Sequence, residues 1–289
     1  GLILGAYVLS MIRGEHQSRG GSSPIIRFIL GFFVMIGALI FLGCPLRMIL
    51  RLGGGDLNAL FGIAGFAGGV GIGTIFLKRG YSLQRTYALS KLESAIMPAI
   101  QVGLLVLVVT APAFIFFSQK GPGAMHAPWL ISLAAGLVVG GLSQYSRLCT
   151  VGGFRDLFLF KKSVLIFGYI AVLVGVFAVN ISFGNFHLGF ENQPVSHTDG
   201  LWNFLGMALA GFCSVLLGGC PLRQLIMTGE GNSDSAVTVL GLAAGAAFAH
   251  NFGLAASGAG PTLNGQIAVG IGFVVALIIA VLNTKRSNA

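Results

Sequence analysis

The chain has 289 residues, of which 55% are hydrophobic and 9% charged, against roughly 25% charged in an ordinary soluble domain. A water-solvated globular fold is therefore excluded. The formal net charge of +9 does not make a nucleic-acid surface, because the basic residues are spread through short loops rather than gathered in one patch.

In chain order, apolar runs fall near 1–12 (partial), 25–43, 57–77, 94–118, 127–145, 163–183, 201–219, 235–256 and 263–282. Most approach the roughly 20 residues that carry a helix across a bilayer, so the runs predict an all-α polytopic membrane protein with lipid as its main surroundings. The loops at 13–24, 78–93, 146–162 and 218–234 and the tail after 282 hold thirteen of the 17 Lys and Arg, while the opposite loops hold Arg47, Arg51 and Lys120. The positive-inside rule places the richer set in the cytoplasm and the loop with Glu191 and Asp199 outside. Among 45 glycines, the spacings Gly65/Gly69/Gly73, Gly136/Gly140 and Gly241/Gly245 predict close helix packing.

One pentapeptide occurs twice: Gly43-Cys44-Pro45-Leu46-Arg47 returns as Gly219-Cys220-Pro221-Leu222-Arg223. A shift of 176 positions superposes the copies and keeps Gly53 on Gly229, Gly55 on Gly231, Gly65 on Gly241 and Gly69 on Gly245. Such self-similarity marks an internal duplication. Its halves are expected at 1–120 and 121–289. Five apolar runs separate the copies, an odd number, so the second motif enters the membrane from the face opposite the first, as in transporters with inverted repeats. A further cysteine motif, Arg147 to Asp156 (RLCTVGGFRD), stands 71 residues before Cys220. Its counterpart would lie at position −27, so the sequence is expected to lack its natural beginning, and the intact protein to have ten spans and one more cysteine motif.

The motifs carry a definite chemistry. Proline is favoured at the first position of a helix, so Cys44 and Cys220 are expected to stand before short helices whose free amides and partial positive charge suit an anion. Arg47 and Arg223 would add charge and a planar donor fork, although either could instead anchor a loop at the interface. Irregular backbone at membrane depth is tolerated where it is buried in protein or lines a cavity. The motifs thus read as re-entrant half-helices, and Cys44, Cys149, Cys220, Arg47 and Arg223 as substrate-binding candidates. Cys213 has no motif around it and reads as packing, and Arg155-Asp156 as a structural ion pair. Gln101 and His250 are polar residues in or near spans, candidates by position alone. His16, His126, His187 and His197 have no metal-ligand spacing, and neither a cofactor nor a metal is expected. With no Walker motif, direct use of ATP is not expected.

These residues resemble the YeeE/YedE family of bacterial inner-membrane proteins, the sulphur transport domain family, and within it the YedE branch. The resemblance rests on the two GCPLR copies, the RLCTVGGFRD stretch and Gly229-Glu230-Gly231-Asn232. It implies an hourglass-shaped protein of inverted halves in the inner membrane, with cysteine thiols contacting thiosulfate as it enters the cell. By motif, those thiols are Cys44, Cys149 and Cys220. The YedE branch adds a selenium species as an alternative cargo, and a small cytoplasmic sulfur-carrier protein is an expected partner. The leading expectation is a non-enzymatic transporter or channel for a small sulfur or selenium oxyanion. A membrane sulfurtransferase working through a Cys persulfide and a non-transporting scaffold are the alternatives.

Overall fold

A computed structural model describes residues 1–284 except 84–85, 112–113, 115, 117–123, 125–126 and 163. The expectations attached to Lys120, to His126 and to the basic tail fall outside the described residues. Twelve helices are described: α1 (Leu2–Ile12), α2 (Pro24–Phe41), α3 (Pro45–Gly53), α4 (Asn58–Lys78), α5 (Lys91–Thr110), α6 (Trp129–Ser146), α7 (Thr150–Phe160), α8 (Val164–Ser182), α9 (Gly200–Leu217), α10 (Pro221–Gly229), α11 (Ser233–Asn251) and α12 (Leu263–Leu282). Two-residue strands β1 (Arg19–Gly20) and β2 (Tyr87–Ala88) form one antiparallel ribbon. Seven of the helical segments are long and apolar enough to cross a bilayer, and the protein is an all-α multi-pass membrane protein.

Each apolar run becomes a helix, and the differences lie at the ends. Helix α5 starts three residues ahead of its run because Ser90 caps it: the Ser90 hydroxyl accepts from the Glu93 amide at 3.4 Å and lies 3.3 Å from the Glu93 carboxylate, a serine N-cap. It stops at Thr110, short of the expected 118, where Ala111 turns left-handed ahead of Pro112, a residue pair that disfavours further helix. The three short helices α3, α7 and α10 each begin directly after a motif cysteine.

The chain forms two compact units, each drawn from separate stretches. In the larger (Ser23–Gln84, Leu148–Leu222, Val237–Ala289), α4 and α2 pack along α9. Glycine makes this possible: a Cβ at Gly65 would sit 2.0 Å from the Phe204 carbonyl oxygen, and one at Gly69 2.0 Å from that of Ala208. Gly241 and Gly245 of α11 meet the α2 backbone at Phe28 and Phe32 in the same way. Leu30, Ile36, Ile40, Leu209, Phe212 and Cys213 form the centre of its apolar core.

In the smaller unit (Gly1–Ser22, Arg85–Arg147, Arg223–Ala236), α1 packs on α6, with Gly140 against the Leu2 carbonyl. The β1–β2 ribbon ties the loop after α1 to the loop before α5. Asp234 closes the loop after β1, accepting from the Gly21 amide at 2.9 Å and the Ser22 hydroxyl at 2.7 Å.

Candidate functional site

Both copies of the pentapeptide reach their cysteine by one backbone route. Helix α2 ends at Leu42 with φ +63 and α9 at Gly218 with φ +83, positions that correspond under the 176-residue shift. The next amides, of Gly43 and Gly219, turn back onto the carbonyls of Ala38 at 2.8 Å and Ser214 at 3.0 Å. The chain reversal satisfies helix-end carbonyls and delivers Cys44 or Cys220 to the start of a helix that opens on proline. Cys149 stands in the same position before α7, and its sulfur accepts from the Gly152 amide at 3.3 Å. Past α3 and α10 the register holds again, with Gly55 at φ +100 and Gly231 at φ +98.

These three cysteines, from three separate loops of the larger unit, come together. The Cys149 sulfur lies close to the thiol and the amide of Cys220. Cys44 lies within electrostatic reach of Cys220. Cys149 and Cys220 are 6% and 1% exposed and Cys44 is half-buried, so the cluster is shielded, least completely at the Cys44 residue. All four cysteines are free thiols. Cys213 is buried in the apolar core, as packing requires. Among the described residues, no three His, Cys, Asp or Glu side chains are grouped as metal ligands.

Sequence reasoning missed Tyr169 and Thr150. Tyr169, on α8, is buried within electrostatic reach of all three sulfurs, and its hydroxyl accepts from the Thr150 hydroxyl at 2.6 Å. Thr150 adjoins Cys149 and was legible as a neighbour, whereas Tyr169 lies in an unbroken apolar run with nothing to single it out.

The two motif arginines part company. Arg223 makes a two-pronged ion pair with Glu230, 3.0 Å at each prong, and Arg147 reaches the same carboxylate at 3.3 Å. The position that corresponds to Glu230 in the first copy is Gly54, so Arg47 has no such carboxylate. Among the described residues the Arg47 side chain has no ion-pair partner. Its stem folds over Gly43, 2.9 Å from where a Cβ would stand, and the residue lines a cleft of about 490 Å³ together with Arg51, Asn180, His187, Asn192 and Gln193. This cleft is built on the loops that the charge pattern places outside. Arg47 therefore borders both the cleft and the Cys44 turn.

Beneath the cleft lies a polar network that the sequence showed only as a hydrophilic stretch. Arg51 and Asp56, 7% and 2% exposed, pair at 2.7 Å. Arg51 also donates to the Phe41 carbonyl and to the Ser196 hydroxyl at 2.6 Å, and its guanidinium lies 4.0 Å over the Phe41 ring. Asn58 donates from its backbone and side chain to Asp56, both at 2.9 Å. His197, in the loop after α8, has Nε2 2.8 Å from the Ile40 carbonyl, which only accepts, so Nε2 carries the hydrogen. Burial pulls the His197 pKa below its ordinary value, against the pull of that carbonyl. In the smaller unit, hydrogen bonds from Gln144 and Arg13 hold the Glu15 carboxyl below the usual range.

The remaining candidates are placed plainly. Arg155 and Asp156 form the expected ion pair at 2.8 Å. His250 is exposed and Gln101 half-buried.

Fold and cysteine arrangement together define a polytopic α-helical membrane protein with a shielded three-thiol cluster at the starts of short helices. Residues 145–285 match the sulphur transport family. It is also similar to the thiosulfate transporter TsuA of Escherichia coli (strain K12), with 27% identity over 115 residues. That likeness covers 37% of this chain and 30% of the relative's length.

Proposed function

We propose that the protein carries a small sulfur-bearing anion, of the thiosulfate class, across the membrane past its clustered thiols. The observation that carries this reading is the convergence of Cys44, Cys149 and Cys220 from three loops, each at the start of a helix. Helix N-termini offer amides and positive potential to an anion, and protonated thiols offer S–H donors to its terminal sulfur and oxygens. In this reading the 490 Å³ cleft is the outer approach, Arg47 draws the anion from it toward Cys44, and the Tyr169 hydroxyl adds a donor beside the sulfurs. Arg223, neutralised by Glu230, holds the second loop rather than the cargo. Inverted repeats over 1–120 and 121–289 would supply the two faces of the route. A selenium oxyanion fits the same donors, and a small sulfur-carrier protein is the expected acceptor in the cytoplasm.

The test is growth and labelled uptake with thiosulfate in cells lacking their own importers, with selenite and sulfite as competitors. Replacing Cys149 or Cys220 by Ala should lower uptake by about tenfold or more, on the scale of one lost charge-assisted contact. Cys213→Ala should leave uptake intact. Uptake that survives alkylation of the cluster would end the proposal, and competition by selenite alone would move the cargo to selenium.

A further inference from the structure

The smaller unit contains a cleft of about 780 Å³ that the proposed route does not use. Its walls come from α1, α5 and the two loops joined by the β1–β2 ribbon, and they include Tyr7, His16, Ser18, Arg19, Lys91 and Ser94. Among the described residues, two cations line it and no acid does. The nearest carboxylates in sequence are engaged already: Glu15 by Arg13, Arg147 and Gln144, and Glu93 by the capping serine. Among the described residues, neither the Arg19 nor the Lys91 side chain has an ion-pair partner.

The backbone under each cation is anchored. Arg19 lies in β1, paired with Ala88 and bonded through its amide to the Gly231 carbonyl at 3.2 Å. Lys91 opens α5, directly after its capping serine. His16 is a further part of the wall, fixed by Ser94 at 3.1 Å and by an edge-on contact with Tyr7 at 5.3 Å. The surroundings turn abruptly from polar to oily: Met11 and Ile12 at the end of α1 and Leu92 and Ile96 at the start of α5 are exposed, and most of α5 is uncovered. The cleft thus sits where spans meet two of the basic loops.

We infer that this cleft binds an acidic phospholipid, its phosphodiester between Arg19 and Lys91 and its acyl chains along α1 and α5. Basic pockets between membrane helices bind such headgroups, and each Lys or Arg near an anionic surface contributes a recognisable share of the attraction. A free phosphate would satisfy the cations but leave the exposed α1 and α5 ends unmatched. A phospholipid satisfies both, and this favours the lipid as source.

Native mass spectrometry and thermal unfolding of the whole detergent-purified protein, titrated with phosphatidylglycerol, phosphatidylcholine, or glycerol phosphate plus inorganic phosphate, test the inference. Phosphatidylglycerol alone should remain bound and raise the Tm. The double variant Arg19→Gln/Lys91→Gln should bind it roughly 30-fold more weakly, with an unchanged Tm in phosphatidylcholine. The variant Lys161→Gln/Lys162→Gln, which removes two exposed cations elsewhere, should bind it as the parent does. Equal binding of the two lipids, equal loss in both double variants, or a full Tm shift from the soluble phosphates would each overturn it.

Discussion

At the scale of single residues, the duplicated pentapeptide gives its two arginines different fates through one neighbour. Glu230 neutralises Arg223, whereas Gly54, at the corresponding position, leaves Arg47 to the cleft. The first copy instead buries a different pair, Arg51 and Asp56. A buried ion pair need not be a net source of stability, but removing one partner strands the other charge away from water. Asp56→Asn should therefore lower stability by about 3–5 kcal/mol, because Arg51 then keeps only the Ser196 hydroxyl, the Phe41 carbonyl and neutral partners. The double variant Arg51→Met/Asp56→Leu, with no charge left, should lose less than Asp56→Asn alone. Thermal unfolding in detergent reads both, and a single variant as stable as the parent would show that the pair is solvated.

At the scale of elements, the apolar runs and the short helices were legible because a bilayer demands long apolar stretches and because Cys-Pro marks a helix start. Ends were less legible. The Ser90 cap moved the start of α5 three residues upstream, a local signal present in Ser90 and Glu93 but overridden by the apolar count. Packing partners could not be read at all, since Gly65 and Gly69 announce a close neighbour without saying that it is α9. Their role gives a sharp contrast. Gly65→Ala would drive a methyl into the Phe204 carbonyl oxygen, 2.0 Å from the ideal Cβ position, so α4 and α9 must part, at a cost of about 1–3 kcal/mol or more. Gly175→Ala in α8 meets nothing within 4 Å and should be neutral or slightly stabilising, since alanine favours helix over glycine. Comparing the two Tm values checks this, and equal effects would mean that the α4–α9 contact is loose.

At the scale of the whole molecule, the site was legible in part for a physical reason. Cys44, Cys149 and Cys220 carry motifs because a chain reversal before a helix needs glycine and proline, and those residues stand out in sequence. Tyr169, Ser196 and His197 contribute through tertiary contact alone, Ser196 meeting Arg51 across 145 positions, and no local pattern encodes that. The proposed route further requires the cleft at Arg47 to face outside, and this rests on the loop charges. Thirteen Lys and Arg on one set of loops predict that the loop after α7 is cytoplasmic and the loop after α8 is not. Cysteines introduced at Lys162 and Glu191, both exposed, test it in a background whose own cysteines are replaced. A membrane-impermeant maleimide should label Glu191→Cys in intact cells and Lys162→Cys only after permeabilisation. The opposite pattern would turn the cleft toward the cytoplasm, making Arg47 the last contact of an incoming anion instead of the first.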